Sequence, residues 1–558
     1  MRVKSYGLVA AALALALGAA SCSDDSSTTN TSAAPTSWSF GVMSDTQWTL
    51  TTDPAGKNPN GVAVSIINQI NSQFIAKGVK FVIQVGDLTE NGNDADIAAR
   101  AQAAQALYDA GIGFFPMRGN HETYAPVPNG YGIPAFTSRF PQTQGGQHAF
   151  SATNFSSPTT ISPELAGMSY SFDYGFSDSN ARFVIIDDWA TGSRRIDAAG
   201  YPYGYSVGDQ QAWISGRLSS ASRGTTHAFV FSHQNLIGEN HQDSLFVGYT
   251  NANPDMQNAF IASLQNNSVK YYICGHDHVH QRSVIASPDG LSKVQQIIGA
   301  SDSSKFYTPK SASDPNWFGQ KSRETSIRQE LYSPGFYIYT VSGPRVIVDY
   351  YSDSTGKFAS DALYPGTTGS TLGVTPTLNF VKKETYGYSL NGKEFLVPQG
   401  GPYTVVQDSY ASTSARILSG VNHSTVTDGI GRPVVAAVDT GWAAKTSTIM
   451  SDVLSLWGME SKLGSDQTDT YTLSLSYDPS IVSSHQSGSF GLVVKDGDHW
   501  TLAATKNAGG VVPRFVAGPW SDSYDLGTYG VDTSTNTVWA VINKGGDFAA
   551  AIDGSALR

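Results

Sequence analysis

Five short apolar segments, each followed almost at once by a polar residue that can bind a metal ion, are the feature that most constrains this chain. Apolar runs of this length between turn residues are typical of buried strands. Helical segments lie between several of them; Val62, Ile66, Ile70 and Phe74, for example, recur every four residues, as on one face of a helix. Alternating strands and helices predict an α/β layered core. The five segments are residues 39–43, 79–85, 113–117, 227–231 and 269–273.

The polar residues after these segments are predicted to meet at one edge of the core, because ligands of layered α/β proteins bind just beyond the carboxyl ends of strands. Carboxylate, amide and imidazole groups that converge there can hold two divalent ions, with one carboxylate shared between them. Two such ions can clamp a phosphate group and lower the pKa of a shared water molecule. The candidate ligands are Asp45, Gln47, Asp87, Asn120, His233, His276 and His278.

In order and spacing, these residues resemble the motifs of the calcineurin-like metallophosphoesterase superfamily. The blocks of that family are Asp-x-His, Gly-Asp, Gly-Asn-His-Asp/Glu, a lone His and Gly-His-x-His. In this chain they correspond to residues 45–47, 86–87, 119–122, His233 and 275–278. One block alone would be a weak match, whereas five blocks in order, each after an apolar strand, are specific.

The resemblance implies a metal-dependent phosphoric ester hydrolase with a dinuclear centre of Mn, Fe, Zn or Mg and a bridging hydroxide. Asp87 would bridge the metals, and His121 would assist departure of the leaving group. The implied ligands are Asp45, Gln47, Asp87 and His278 for the first metal, and Asp87, Asn120, His233 and His276 for the second.

Gln47 departs from the commonest family pattern, which has histidine at this position. A neutral amide oxygen is a harder and weaker ligand than imidazole. We therefore expect a less tightly bound first metal, with Mn, Fe or Mg favoured over Zn. The alternative is that Gln47 only forms a hydrogen bond beside the metal.

Two further functional hypotheses stay open at the level of sequence. The chain could be a non-catalytic envelope binding protein with a vestigial metal site, an interpretation that only Gln47 supports. It could also be a phosphodiesterase that acts on lipid or nucleotide esters, because the ordered motifs are shared by both activities.

The N-terminal segment has the form of an export signal. Two basic residues precede an apolar run over 7–20, which is shorter than a membrane span needs. Residues 1–21 are therefore predicted to be a signal peptide. Small residues before Cys22 resemble a bacterial lipobox, with Ala19 where leucine is usual, so we expect membrane attachment through a lipidated Cys22 in the outer membrane or elsewhere in the envelope. The alternative is cleavage near Ala20 and a periplasmic or secreted protein.

The length of 558 residues predicts more than one domain. A disordered tether is predicted over 22–37, where Ser, Thr, Asp and Ala dominate. A layered β-sandwich flanked by helices, the catalytic domain, is predicted over 38–352. A shift to Ser, Thr, Gly and Pro predicts a linker over 353–377. Short alternating runs separated by turn pairs predict a smaller all-β accessory domain over 378–558.

Charge and composition narrow the classes of partner. The net charge is −11, and no cluster of Lys or Arg follows the first few residues. A nucleic-acid backbone is therefore not expected as a partner, and a phosphate ester is the expected substrate. Cys22 and Cys274 are not expected to form a disulfide; Cys274, beside Gly275, is predicted to be a small buried apolar residue.

Substrate specificity is expected to reside in three long insertions rich in Gly, Pro, Ser and aromatic residues, which are predicted to be loops over the site. They span about 124–180, 188–206 and 236–255. His241 and His280 lie near ligand positions in sequence, and both are predicted to support the site or lie on the surface rather than to take part in catalysis.

Overall fold

The computed structural model of the protein describes residues 37–554 apart from several segments. The predicted signal peptide, Cys22 and most of the predicted tether lie outside the described residues, as does most of the predicted linker. Among the described helices, none has the length and apolarity that crossing a membrane requires. The segments outside the description are 1–36, 51–52, 54, 124–131, 188, 190–194, 197–201, 204–206, 243–244, 247–252, 312–319, 359–374, 404, 410–412, 425–426, 428–433, 447, 462–465, 482–487 and 555–558.

The N-terminal part of the chain alternates strands and helices. In chain order, its described elements are β1 (Trp38–Met43), α1 (Val64–Ala76), β2 (Phe81–Gln84), α2 (Asp94–Ala103), α3 (Gln105–Asp109), β3 (Gly113–Pro116), α4 (Ile133–Arg139), β4 (Thr153–Ser156), β5 (Tyr170–Phe176), β6 (Ser179–Ile186), β7 (Arg195–Ile196), β8 (Pro202–Tyr203), α5 (Val207–Leu218), β9 (His227–Ser232), α6 (Pro254–Asn266), β10 (Tyr271–Cys274), β11 (His280–Ala286), β12 (Lys293–Ile298), β13 (Glu324–Glu330), β14 (Gly335–Ser342), β15 (Arg345–Asp353) and β16 (Phe380–Ser389).

These strands form two mixed sheets. The first has six strands in the order β16-β15-β14-β1-β2-β3, in which β1, β2 and β3 are parallel. The second has eight strands in the order β13-β11-β12-β10-β9-β6-β5-β4, in which β6, β9, β10 and β12 are parallel. In each sheet, the carboxyl ends of the parallel strands therefore lie at the same edge.

The two sheets pack face to face through an aromatic core. Phe40 of β1 lies edge-on to Phe183 of β6 and Phe229 of β9, with ring centroids 5.1 and 5.2 Å away. Helices α1 to α4 cover the outer face of the first sheet, and α5 and α6 cover that of the second. Burial of large rings on both inner faces stabilises the pairing of the sheets. The predicted layered sandwich flanked by helices is confirmed.

The C-terminal part of the chain is all-β, as predicted. Two six-stranded sheets, β17-β20-β21-β28-β23-β24 and β18-β19-β22-β27-β26-β25, enclose one apolar core. The strands are β17 (Phe395–Val397), β18 (Val405–Asp408), β19 (Ser414–Gly420), β20 (Ala436–Ala443), β21 (Val453–Trp457), β22 (Gln467–Ser476), β23 (Phe490–Asp496), β24 (His499–Leu502), β25 (Arg514–Ala517), β26 (Thr528–Asp532), β27 (Thr537–Lys544) and β28 (Gly546–Ile552).

Two details differ from the sequence-based prediction. β16 lies inside the predicted accessory range 378–558, yet it pairs with β15 along its whole length and forms the edge of the first sheet. The chain returns to that sheet after the Ser- and Gly-rich segment because the open edge of β15 still offers unpaired backbone groups. The insertion 124–180 was predicted to be loop, but it contains α4, β4 and β5. Alternating Tyr170, Phe172 and Tyr174 bury their rings in the core between the sheets.

A buried ion-pair network around Arg282 joins the two parts of the chain. Arg282 on β11 lies 2.8 Å from Glu384 on β16 and 3.0 Å from Asp439 on β20. Its guanidinium group also lies 4.3 Å from the ring centroid of Tyr386. Burial raises the pKa of Glu384, but Arg282 and His280 outweigh it and lower the pKa to about 2. The network thus keeps Glu384 ionised inside the protein.

Candidate metal centre

The structure brings the seven predicted ligand side chains to one edge of the N-terminal sandwich. Each follows the end of a strand by a few residues: β1, β2 and β3 in the first sheet, and β9 and β10 in the second. Because the sheets face each other with the ends of these strands at a common rim, residues far apart in sequence become neighbours.

Asp87 is shared by two clusters that could each hold a metal ion. Asp87, His233 and His276 offer ligand atoms within 4.8 Å of one another, and so do Asp45, Asp87 and His278. All five side chains are buried. A carboxylate common to two clusters is the arrangement that a bridging ligand requires.

Amide groups complete each cluster. The Oδ1 atom of Asn120 lies 3.1 Å from Nε2 of His233. Gln47 Nε2 lies 2.9 Å from Oδ2 of Asp87 and 3.2 Å from Nε2 of His278. Gln47 Oε1 is buried and has no hydrogen-bond partner among the residues that the structure describes. Since rotation of the amide exchanges its oxygen and nitrogen, Gln47 can present its oxygen to a cation beside Asp87.

Backbone carbonyl groups orient the imidazole rings. His233 Nδ1 donates to the Val85 carbonyl at 2.9 Å, and His278 Nδ1 donates to the Lys305 carbonyl at 2.7 Å. In both residues Nε2 therefore faces the carboxylates. Histidines that bind metals commonly donate their other ring N–H group in this way. The orientation of the two rings fits metal binding.

The backbone at the site is held in an uncommon conformation. Four predicted ligands have a positive φ, which non-glycine residues rarely adopt. Gly119 allows the close approach of Asp87, because a Cβ atom at Gly119 would overlap the Asp87 carboxylate. The four residues are Asp45 (φ 46°), Asp87 (φ 44°), His276 (φ 76°) and His278 (φ 54°).

The electrostatics of the site favour added positive charge. Burial raises the pKa of Asp45 to about 7, although the charge of His233 opposes the rise. Burial also raises the pKa of Asp87, but His233 and His121 outweigh it, so this pKa lies well below its usual value. Burial lowers the pKa of His233, but Asp87 raises it to about 10. Together with the unpartnered oxygen of Gln47, these buried carboxylates and imidazoles fit a pair of divalent ions.

His121 lies beside this centre without joining either cluster. Its Nδ1 atom forms a 2.6 Å hydrogen bond with the Glu90 carbonyl, and its Nε2 atom lies 3.8 Å from Oδ2 of Asp87. Its backbone N–H group donates to Oδ1 of Asp87 at 3.2 Å. The hydrogen bond at Nδ1 thus orients the ring, and Nε2 lies at the edge of the site.

Glu122 supports the turn that carries Asn120 and His121. Its carboxyl group accepts hydrogen bonds from the backbone N–H groups of Thr89 and Gly119 at 2.9 and 2.8 Å. Burial and the nearby charge of Asp87 raise its pKa to about 8. Glu122 therefore ties the ends of β2 and β3 together.

Asp277, Lys305 and Tyr307 were not assigned to the site from the sequence, whereas His241 was predicted to support the site or to lie on the surface. Asp277 accepts a 2.7 Å hydrogen bond from Nδ1 of His241, whose ring centroid lies 4.1 Å from that of His276. The Tyr307 ring lies edge-on to both His241 and His278, with centroids 4.7 and 5.0 Å away. Lys305 lies beside Tyr307. Tyr307 and Lys305 belong to an irregular segment whose sequence has no periodic pattern, so only the folded chain reveals them.

Residues 39–280 match the model of one protein family, described as calcineurin-like phosphoesterase. This range contains all seven candidate ligands and His121. No curated protein matches the chain significantly.

Several solved structures are similar in part of their fold. One is GAP50, the anchor in the inner membrane complex of Plasmodium, at 17% identity over 60% of this chain and 89% of that chain, with a TM-score of 0.36. A dimetal phosphatase from Danio rerio is 14% identical over 56% and 95% of the two chains, with a TM-score of 0.34. The purple acid phosphatase PPD1 of yellow lupin seeds is 15% identical over 62% and 57%, with a TM-score of 0.38.

Replacement of Asp87 should empty both metal positions. We expect two divalent ions per wild-type chain, fewer than about 0.2 in Asp87→Asn, and about one in Asp45→Asn, because only Asp87 belongs to both clusters. Elemental analysis of purified protein measures this. Asp173→Asn, on β5 away from the site, is the matched control and should keep both ions. Two ions in Asp87→Asn would contradict the shared-ligand arrangement.

Replacement of Gln47 by histidine should strengthen the first metal position. Imidazole binds first-row divalent ions more tightly than a neutral amide does, so Gln47→His should raise Zn²⁺ affinity by about tenfold or more. Titration with a competing chelator gives this affinity. Gln84→His, which replaces a buried glutamine of β2, is the control for a general effect of added histidine. Equal or weaker Zn²⁺ affinity in Gln47→His would show that Gln47 is not a ligand.

Proposed function

Because residues 39–280 belong to the calcineurin-like phosphoesterase family, we propose that this phosphoric ester hydrolase uses two divalent ions that share the Asp87 carboxylate. The observation that carries the proposal is the position of Asp87 in both ligand clusters. The substrate is a phosphate ester.

The residues that would hold the two ions divide between the two sheets. Bound divalent ions offset the negative charge of a phosphate and lower the pKa of water, so that hydroxide is available near neutral pH. The proposed ligands are Asp45, Gln47, Asp87 and His278 for the first ion, and Asp87, Asn120, His233 and His276 for the second.

His121 is the proposed proton donor to the leaving group. The hydrogen bond between Nδ1 and the Glu90 carbonyl holds the ring, so Nε2 is the atom directed toward the site. The side chain is largely buried, with 10% of its surface exposed at the edge of the site. In the protonated ring, Nε2 carries a proton that the departing alkoxide can accept.

Replacement of His121 should affect esters according to their leaving groups. An alkoxide needs a proton to depart, whereas nitrophenolate departs readily without one. His121→Asn should therefore lower kcat on an alkyl phosphate by about a hundredfold or more, and much less on nitrophenyl phosphate. Steady-state kinetics on both esters measures the difference. His499→Asn, an exposed histidine of β24, is the control.

Three outcomes would count against these proposals. An equal loss on both esters would remove the proton-donor role from His121. Full turnover by thoroughly chelated wild-type protein would overturn the metal-dependent mechanism. Metal-loaded protein that hydrolyses neither mono-, di- nor pyrophosphate esters would favour the non-catalytic binding protein instead.

We also propose that the protein acts in the cell envelope. The apolar run over 7–20 and the small residues before Cys22 support export and lipidation. If Cys22 is lipidated, cell fractionation should find the wild-type protein in membranes and Cys22→Ser in the soluble fraction. Wild-type protein in the soluble fraction would contradict the attachment.

A further inference from the structure

The segment that follows β12 is built against the metal centre. The carbonyl of Lys305 accepts hydrogen bonds from Nδ1 of His278 and from Oγ of Ser301, both at 2.7 Å. Its N–H group donates to Oγ of Ser303 at 2.9 Å. The backbone of Lys305 is therefore held beside a proposed metal ligand, and this contact does not involve its side chain.

The Lys305 side chain extends over an aromatic ring at the same edge. Its Nζ atom lies 5.1 Å from the centroid of the Tyr307 ring, within range of a cation–π interaction. The ring itself lies edge-on to both His278 and His241. Burial and the nearby carboxylates, first among them Asp87, raise the pKa of Tyr307, so its phenol stays neutral.

The positive charge of Lys305 affects the pKa values of two residues of the site, His278 and Glu90. Burial lowers the pKa of His278, and the positive charge of Lys305 lowers it further. Burial raises the pKa of Glu90, while His121 and Lys305 oppose this rise. Lys305 is only half-buried, and within the described part of the chain it forms no ion pair with a carboxylate. The ammonium group of Lys305 is thus available to bind an anion at the edge of the site.

Phosphomonoesters and phosphodiesters differ in their charge and in the number of oxygens that can accept a hydrogen bond from an ammonium group. Near neutral pH, a phosphomonoester carries close to two negative charges, because its second pKa is about 6, and a diester carries one. The monoester also has one more unesterified oxygen. A fixed ammonium beside the centre interacts more strongly with the group that has more charge and more acceptors.

We propose that Lys305 binds an unesterified oxygen of the substrate and selects phosphomonoesters over phosphodiesters. This inference rests on the proposed function and assigns its substrate class. Tyr307 positions the ammonium group, and Lys305 is a specificity residue that acts through substrate binding.

The test compares variants that keep or remove the charge. Lys305→Met keeps an apolar stem over Tyr307 and the backbone contact to His278, and Lys305→Arg keeps the charge. Lys310→Met, at an exposed position of the same segment, is the matched control. For each protein, kcat and KM are measured on nitrophenyl phosphate and bis-nitrophenyl phosphate. Calorimetry measures binding of inorganic phosphate to the metal-loaded protein, and elemental analysis verifies the metal content.

We expect Lys305→Met to lower kcat/KM on the monoester by about tenfold to a hundredfold, mainly through KM, which is the usual effect of losing one charge-assisted hydrogen bond. Activity on the diester should fall less than about threefold. Affinity for inorganic phosphate should fall by the same factor as activity on the monoester. Lys305→Arg should restore most of each loss, and Lys310→Met should match the wild type.

Equal losses on both esters, or unchanged phosphate affinity in Lys305→Met, would overturn the inference. If Lys305→Met does not fold, Lys305→Gln takes its place in the same comparison. If the metal-loaded wild-type protein hydrolyses neither of these esters nor a pyrophosphate ester, the proposed function fails. Phosphate binding then still decides the role of Lys305: a weaker affinity in Lys305→Met supports it, and an equal affinity removes it.

Discussion

A single buried carboxylate, that of Asp87, connects the candidate metal ligands of the two sheets. It lies beyond β2, accepts a 2.9 Å hydrogen bond from Gln47, and approaches Nε2 of His233 at 3.2 Å. Burial alone would favour the neutral acid, but His233 and His121 keep its pKa well below the usual value. These contacts exist only if both sheets present their parallel strand ends at one rim. The packing of the two sheets therefore also determines the arrangement of the candidate ligands.

The backbone conformation also determines where the candidate ligands lie. Asp45, Asp87, His276 and His278 all have a positive φ, a conformation that costs about 1 kcal/mol or more at such residues and persists only when surrounding contacts enforce it. Hydrogen bonds to neighbouring backbone groups and the close approach of Gly119 provide those contacts. The folded chain thus positions the candidate ligand atoms through its own contacts.

Much of this arrangement was predictable because strand ends are local features of sequence. Apolar runs predicted the strands that precede Asp45, Asp87, Asn120, His233 and His276, and the motif order predicted their convergence. The rest depends on tertiary contacts that leave no local pattern. Lys305 and Tyr307 lie beside the site in an irregular segment after β12, and the hydrogen bond between His241 and Asp277 is also such a contact. β16 was assigned to the accessory domain because the composition changes before it, whereas the open edge of β15 determines where it pairs.

The C-terminal sandwich is also connected to the site through strand β11. This strand begins two residues after His278, and its Arg282 lies between Glu384 of β16 and Asp439 of β20. His280, at the start of the same strand, lies 3.2 Å from Glu384 and stacks on Tyr350. Loss of one partner from a buried ion pair leaves an uncompensated charge, so these contacts strongly favour one position of β11. The C-terminal sheets therefore stabilise the strand that follows the last two candidate ligands.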